Sequence, residues 1–491
     1  METADAGIYT LMQMKNSEST ILMCAPRHFQ VTYVINPWME GNVGRTSREA
    51  AGKQWEQLRR LLAARCRIEW IEQQPESPDM VFVANAGLVF GNIFIPSRFF
   101  HPQRRPESPF YRDWFHAHGF ESRELSPTLF FEGEGDALFQ PARRTIWTAY
   151  GLRTSLLAHR ELADITACEV VSLRLVDDRF YHLDTCFCPL DDDRALYYPA
   201  AFDRPSLDLL RSRFLPENRI EVSEPDALAF ACNAFAAGDT VIMNAASDEM
   251  RRQLGDWGYR VQTTPLTEFM RAGGSAKCLL LKLGQELPAG RLEHEPATTV
   301  CDEMIEIRAH LIDTGLMSRL LDAITEAGGM FEIHAFEAGT RRDQPSHARV
   351  RVIAPTQQRL RTILGELIQH GAQVLSDQAD ALLKPVDKAG VAPEGFYSTT
   401  IYPTDVRVEG QWVRVDKQRM DAIVVVERRA DESPRARCTL IRDLRQADRV
   451  VCGVGGIRIH ARHSDRREEA FSFMSSGVSS ERRVELAAEE T

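Results

Sequence analysis

Residues 180–189 read FYHLDTCFCP, an apolar run interrupted by one small acidic residue, Asp184. The pattern has counterparts on both sides: VTYVINPW (31–38) around Asn36, VFVANAGLVF (81–90) around Asn85, EGEGDALFQP (132–141) around Asp136, AFACNAFAAG (229–238) around Asn233 and GGSAKCLLLKL (273–283) around Cys278. Successive separations are 49, 51, 48, 49 and 45 residues, a step that scattered polar residues would not keep. Each of the four middle points leads through a short polar turn (GN, PARR, DDDR, GD) into a second strand-like run, as in GLVF then NIFIP, which is hairpin chemistry. Helical stretches separate the units; in SREAAGKQWEQLRRLLAA (47–64), Trp55, Leu58, Leu61 and Leu62 share a face. A strand-and-helix unit recurring about every 48 residues predicts a ring of βα modules with near five-fold pseudosymmetry. The polar residues of the repeat, read as lying on strands, then converge on one pocket near the axis. Asn233, taken alone, reads as an ordinary turn former.

The pattern changes near residue 300. Residues 303–375 read strand (EMIEIRAHLI), helix (GLMSRLLDAITEA), Gly328-Gly329, strand (FEIHAF), strand (HARVRVIA) and helix, the last with Leu360, Ile363, Leu364, Leu367 and Ile368 in one stripe. This order predicts a split-βαβ, ferredoxin-like sandwich. Short strands separated by charged turns follow over 398–460. The expected organisation is an N-terminal segment (1–22), a propeller-like α/β domain (23–285), a smaller α+β domain (302–480) and a C-terminal tail (481–491), with a join near 285–302.

With 491 residues, two or three domains are the default. The composition, 44% hydrophobic and 26% charged, is that of a globular protein. A formal charge of -11 argues against nucleic acid as a general partner. No stretch approaches the roughly 20 apolar residues that span a bilayer, and the first residues lack a signal-peptide pattern. Ten cysteines in that context read as reduced thiols, and the expected location is the cytoplasm.

Five motifs carry a family resemblance: PDMVFVAN (78–85), FFEGEGD (130–136), YGLRTS (150–155), FYHLDT (180–185) and GGSAKC (273–278). Their order and spacing resemble the guanidine-modifying (amidinotransferase-like, or pentein) superfamily over residues 23–285. The resemblance implies a five-bladed α/β propeller, in agreement with the repeat, and a cofactor-independent hydrolase acting on arginine. A guanidinium carbon is a poor electrophile until its charge is localised, and a thiolate is a suitably soft nucleophile. By resemblance Cys278 is that nucleophile, and His182 protonates departing ammonia and then activates water. Glu132 and Asp184 are the carboxylates expected to grip the cation. Arg104 and Arg153 match the arginines that clamp a substrate carboxylate, with Arg105 the more ordinary surface residue. Asn36 is a candidate for the amino-acid head, and Asp136 reads as turn chemistry.

Asn85 departs from the arginine deiminase pattern, which has an acid there; arginine dihydrolases resemble this sequence in having Asn. An amide both donates and accepts, so the site is expected to hold the neutral ureido group of citrulline and process it. Two rounds of attack by Cys278 would then yield ornithine, two ammonia and carbon dioxide. The rival expectations are a deiminase stopping at citrulline, an amidinotransferase, and a non-catalytic arginine sensor. Leu280, where relatives commonly carry a hydroxyl residue, is a second departure.

Other signals are weaker. His182, Cys186 and Cys188 do not have a usual zinc spacing, and no metal is expected. VVCGVGGIRI (450–459) lacks the dinucleotide-loop spacing and a following amphipathic helix, and HARHSDRRE (460–468) reads as a solvated face. GFYSTTIYPT (395–404), WVRVDKQRMDAIVVV (412–426) and FSFMSSGVSSE (471–481) resemble the domain associated with lysine-ketoglutarate reductase/saccharopine dehydrogenase proteins. Structural support is its expected role. The ornithine cyclodeaminase region that can follow it in dihydrolase relatives is expected to be absent, and a homo-oligomer is the expected assembly.

Overall fold

The structure is a computed structural model describing residues 19–140, 143–285, 300–312, 315–339, 344–375, 380–428, 434–453 and 455–459. The chain divides into two compact units, Met1–Val300 and Cys301–Thr491. The expected N-terminal segment lies mostly outside the described residues. So do most of the 285–302 join, HARHSDRRE, the FSFMSSGVSSE motif and the tail.

The first unit is built from five three-stranded sheets. β1 (Ser19–Cys24) is followed by α1 (Arg48–Ala63) and β2 (Cys66–Ile71). Then come β3 (Gly87–Phe90), β4 (Ile93–Pro96), α2 (Glu107–Ala117) and β5 (Glu121–Ser122). The next module is β6 (Ala137–Gln140), β7 (Thr145–Tyr150), α3 (Leu156–Thr166) and β8 (Glu169–Arg174). The fourth is β9 (Phe187–Pro189), β10 (Ala195–Tyr197), α4 (Arg204–Arg213) and β11 (Arg219–Glu221), and the fifth is β12 (Phe235–Ala237), β13 (Thr240–Met243), α5 (Asp248–Asp256) and β14 (Arg260–Thr263). β15 (Leu281–Leu283) pairs antiparallel with β1, so the first sheet, β15-β1-β2, draws on both ends of the unit.

Every sheet has the same plan. Its first two strands are antiparallel and its last two parallel, and the helix between them makes the crossover that parallel strands require. α1 shows how sequence sets this up: Ser47 accepts from the Ala50 N–H to start the helix, and Ala51, Trp55, Leu58 and Leu62 bury one stripe. The result is the expected five-module α/β propeller.

One local expectation is corrected. The polar residues of the repeat sit in short turns, which for Asn85, Asp136 and Asp184 precede the inner strands. Asn36 caps Pro37–Met39, Asn85 lies within Val83–Ala86, Asp136 follows Gly133–Gly135, and Asp184 lies within the one-turn helix Leu183–Cys186. The turns at Asn85 and Asp184 are buried throughout, so their runs read like a core strand's and periodicity cannot separate the two. His182 therefore reaches the site from the cap of a turn, and the strand-based argument that it shares a face with Asp184 does not apply.

In the second unit, β16 (Cys301–Ala309), α6 (Leu316–Glu326), β17 (Met330–Glu337), β18 (Ser346–Ala354), α7 (Gln357–Gln369) and β19 (Gln373–Val374) form an antiparallel sheet in the order β17-β18-β16-β19. This is the expected split-βαβ arrangement. The α7 stripe is buried as its spacing predicts. A seven-stranded sheet follows, drawn from residues 382–459. No helix among the described residues is long and apolar enough to cross a membrane.

Candidate active site

The turns line a pocket, partly open to solvent, of about 320 Å3, walled by Asn36, Asp79, Phe82, Asn85, Arg104, Arg153, Tyr181, His182, Gly274 and Cys278 among others. Six of the eight residues singled out from sequence line it directly. The other two, Glu132 and Asp184, are hydrogen-bonded to the lining residues His182 and Cys278.

Cys278 is buried, and its thiol lies 3.2 Å from Asp184 Oδ2. Asn233 clasps the pair. Its Nδ2 donates to Cys278 Sγ at 3.1 Å and to the Asp184 carbonyl at 3.0 Å, while its Oδ1 accepts from the Cys278 N–H at 3.2 Å. Burial, and then the Asp184 carboxylate, push the thiol well above its ordinary value. Burial likewise pushes Asp184 up to about 6, against the pull of the Lys277 ammonium and the hydrogen bonds from Cys278 and Asn233. Asp184 Oδ1 is buried and has no partner among the described residues, so one carboxylate oxygen is available to a cation.

His182 Nε2 lies 2.7 Å from Glu132 Oε2, and Glu132 Oε1 accepts the Phe100 N–H at 3.0 Å. Burial works against the Glu132 charge, but the His182 hydrogen bond and the nearby Arg153 and Arg104 prevail and hold the carboxyl at about 2. An ionised Glu132 accepts, so His182 carries its proton on Nε2 and leaves Nδ1 for exchange. Both Glu132 oxygens are thus engaged, and in this arrangement the carboxylate acts on the imidazole. Behind them, the buried Asp136 accepts from the Leu183 N–H (3.1 Å) and from Thr154 Oγ1 (2.7 Å), which joins two of the turns.

The opposite wall is cationic. Arg104 makes a bidentate pair with Glu107, at 2.9 Å for both contacts, and its Nη1 donates to Asn85 Oδ1 at 2.7 Å. Burial opposes the Arg104 charge, but Glu107, Asp79 and Glu132 outweigh it and raise its pKa. Asn85 Nδ2 donates to the Glu132 carbonyl at 3.3 Å. Arg153 spends Nη2 on the Ile35 carbonyl and lies 4.7 Å over the Tyr181 ring. Arg105 is exposed, as expected. Asn36 is engaged at both ends of its amide, capping the turn after it through Oδ1 and donating to the Ala272 carbonyl at 3.0 Å.

Close packing demands glycine at several points, among them Gly135 and Gly273. A Cβ on Gly135 would collide with Asn85 Nδ2 and stand 3.3 Å from the His182 ring. Gly273 has φ +88° and would set a Cβ 2.5 Å from the Tyr181 hydroxyl.

Three residues of this site were passed over in the sequence. Asn233 sits at a repeat point, which was the signal, but an isolated Asn usually marks a turn. Asp79 lies inside PDMVFVAN; its Oδ2 accepts from the Tyr33 hydroxyl at 2.8 Å, and its buried Oδ1 has no partner among the described residues. Lys277, next to the nucleophile, makes a buried pair with Glu134 at 2.8 Å. Cys186 and Cys188 direct their thiols at backbone carbonyls.

Comparison with known proteins identifies the family. Residues 34–284 match the family described as N,N dimethylarginine dimethylhydrolase, eukaryotic. Residues 302–402 match the LOR/SDH bifunctional enzyme conserved region, and 403–488 the first C-terminal region of ArgZ-like arginine dihydrolases. The bifunctional arginine dihydrolase/ornithine cyclodeaminase AgrE of Nostoc sp. is 45% identical over 478 residues, which is 96% of this chain and 67% of AgrE. A crystal structure of an AgrE cysteine mutant with L-arginine has a TM-score of 0.86 at 43% identity, covering 92% of this chain and 69% of that one. The N-terminal domain of ArgZ, in a structure with a covalently bound reaction intermediate, has a TM-score of 0.55 at 48% identity, covering 55% of this chain and all of that one. The chain is an enzyme of the arginine dihydrolase family.

Proposed function

We propose that the first unit hydrolyses L-arginine to ornithine, two ammonia and carbon dioxide, in the cytoplasm, through citrulline that stays bound. The observation that carries this reading is the orientation of Asn85. Arg104 can only donate, so Asn85 presents its oxygen to Arg104 and keeps its amide protons on the other side. A donor suits the neutral ureido oxygen of citrulline, which a carboxylate at that position would repel.

The roles follow from the chemistry of the site. The free oxygens of Asp184 and Asp79 receive the guanidinium and the α-ammonium, and Arg153 takes the α-carboxylate. A thiol raised by Asp184 loses that disadvantage when a cation arrives beside the carboxylate, so the substrate itself promotes the thiolate. Cys278 passes its thiol proton to His182 and bonds to the guanidinium carbon, and ammonia leaves with that proton. Water, deprotonated by His182, cleaves the thiouronium to citrulline. A second attack on the ureido carbon expels the second ammonia, and hydrolysis of the resulting thiocarbamate yields ornithine and carbon dioxide.

Counting ammonia per arginine consumed tests the reading. Two is expected; one, with citrulline accumulating, would make the protein an arginine deiminase.

A further inference from the structure

The first unit has a second cavity, of about 430 Å3, partly open to solvent. The active-site cavity is lined by the turns that precede the inner strands. This one takes Phe187 and Cys188 from β9, Phe235 from β12 and Lys282 from β15, so it lies further along the same strands. Lys277 lines it while Cys278 lines the other, which puts the two cavities on either side of one peptide bond.

Its charges do not cancel. Glu134 is the only acid among the described lining residues, and both of its oxygens are engaged, Oε2 with the Lys277 ammonium and Oε1 with the Gln285 amide, each at 2.8 Å. Lys282 remains. Its ammonium lies 5.4 Å from the centre of the Phe235 ring and has no hydrogen bond or ion pair among the described residues. One uncompensated positive charge therefore faces a recess whose other walls include Leu138, Phe139 and Phe187.

We propose that this rear cavity binds a small monovalent anion, of the size of bicarbonate or a halide, on the Lys282 ammonium. A cation held against apolar walls has lost part of its hydration, and an anion restores that loss with a field that water at the surface would screen. The Glu134 charge does not prevent entry, because Lys277 neutralises it at contact distance. The titration of Lys282 agrees. Burial and the Lys277 ammonium depress it below the ordinary lysine value, although Glu134 and the thiols of Cys188 and Cys66 pull the other way. A bound anion would offset the part of that shift that burial causes. One ammonium left over after the Lys277–Glu134 pair matches one monovalent anion, not a polyphosphate.

The test is thermal unfolding of the full chain in sodium bicarbonate and, separately, sodium bromide. Sodium gluconate at matched ionic strength is the control, its anion being too large for the site. Binding predicts a midpoint rise over gluconate that saturates with concentration. Lys282→Met and Lys282→Gln should abolish the rise, Lys282→Arg should retain it, and Arg153→Met, which alters only the active-site cavity, should leave it intact. Bicarbonate acting alone would assign the site to oxyanions, and both salts acting would assign it to small anions in general. An undiminished rise in both Lys282→Met and Lys282→Gln, or its loss in Arg153→Met, would overturn the proposal. Should neither Lys282 variant fold, bromide-soaked crystals decide: an anomalous peak within hydrogen-bonding reach of Lys282 Nζ supports the site, and its absence refutes it.

Discussion

Arg104 fixes the amide of Asn85: Nη1 stands 2.7 Å from Oδ1, and the same guanidinium is locked to Glu107 by two contacts of 2.9 Å. A neutral residue is thus held rigidly at the point where a charged one would change how far the reaction runs. Asn85→Asp converts the contact into an ion pair and removes the donor. The expected outcome is a fall in ammonia released per arginine from two toward one, with citrulline appearing in the medium. An unchanged ornithine yield would remove Asn85 from the account.

Cys278→Ser keeps the size of the side chain and the Asn233 clasp but loses the soft nucleophile. Ammonia release is expected to drop at least about a thousandfold. Arginine binding, measured by calorimetry, should persist, because Asp184, Asp79 and Arg153 are untouched. Loss of binding together with turnover would mean that the thiol holds substrate and does not attack it.

Asp184→Asn takes away the charge that, after burial, does most to raise the Cys278 thiol. In the absence of substrate, thiolate absorbance at Cys278 should then appear at lower pH than in the unaltered protein, even as turnover is lost. A purely structural lesion would disturb activity without moving that titration in this direction.

Stability should respond to pH in two opposing ways. Glu132 sits at about 2 against an ordinary 4.5, so its contribution is complete above about pH 4.5 and is lost as pH falls toward 2. Asp136 and Asp184, raised from 3.8 to about 6, hold protons longer folded than unfolded, and each costs stability as pH climbs through that window. Asp136→Asn should therefore flatten the decline between about pH 4 and about pH 6, followed by urea unfolding. A decline of equal steepness in the variant would contradict the assignment.

Gly135→Ala is a steric test. The new methyl falls on the Asn85 amide and crowds His182. Turnover is expected to drop on the order of 100-fold, since misplacing catalytic groups by about 1 Å costs that much. Normal kinetics would show that the turn can yield.

Much of this was legible in the chain because the repeat has a physical cause. Five equivalent modules need equivalent turns, and Asn85, Asp136, Asp184, Asn233 and Cys278 mark one each, so these residues and Asn36 could be placed together without knowing any contact. The backbone under them was not legible, since a turn sealed inside a propeller has the composition of a buried strand. Nor were the partners. That Glu132 grips His182, that Asn233 grips Cys278, and that Asn36 is consumed as a cap are facts of orientation, which residue type and spacing do not encode. Asp79 was hidden for a related reason: beside a proline, an aspartate looks like turn chemistry until its unpaired oxygen is found facing a cavity.

The sheet that joins β1 to β15 has a temporal consequence. Synthesis delivers β1 first and the Cys278 segment last among the parts of the ring. Until β15 emerges and docks, the leading strand lacks a neighbour on one edge and the pocket lacks its thiol. From Asp184 to Cys278 the nascent chain therefore grows by 94 residues with every acid and base of the site present and nothing for them to serve. Reactivity arrives in one step, when the ring shuts.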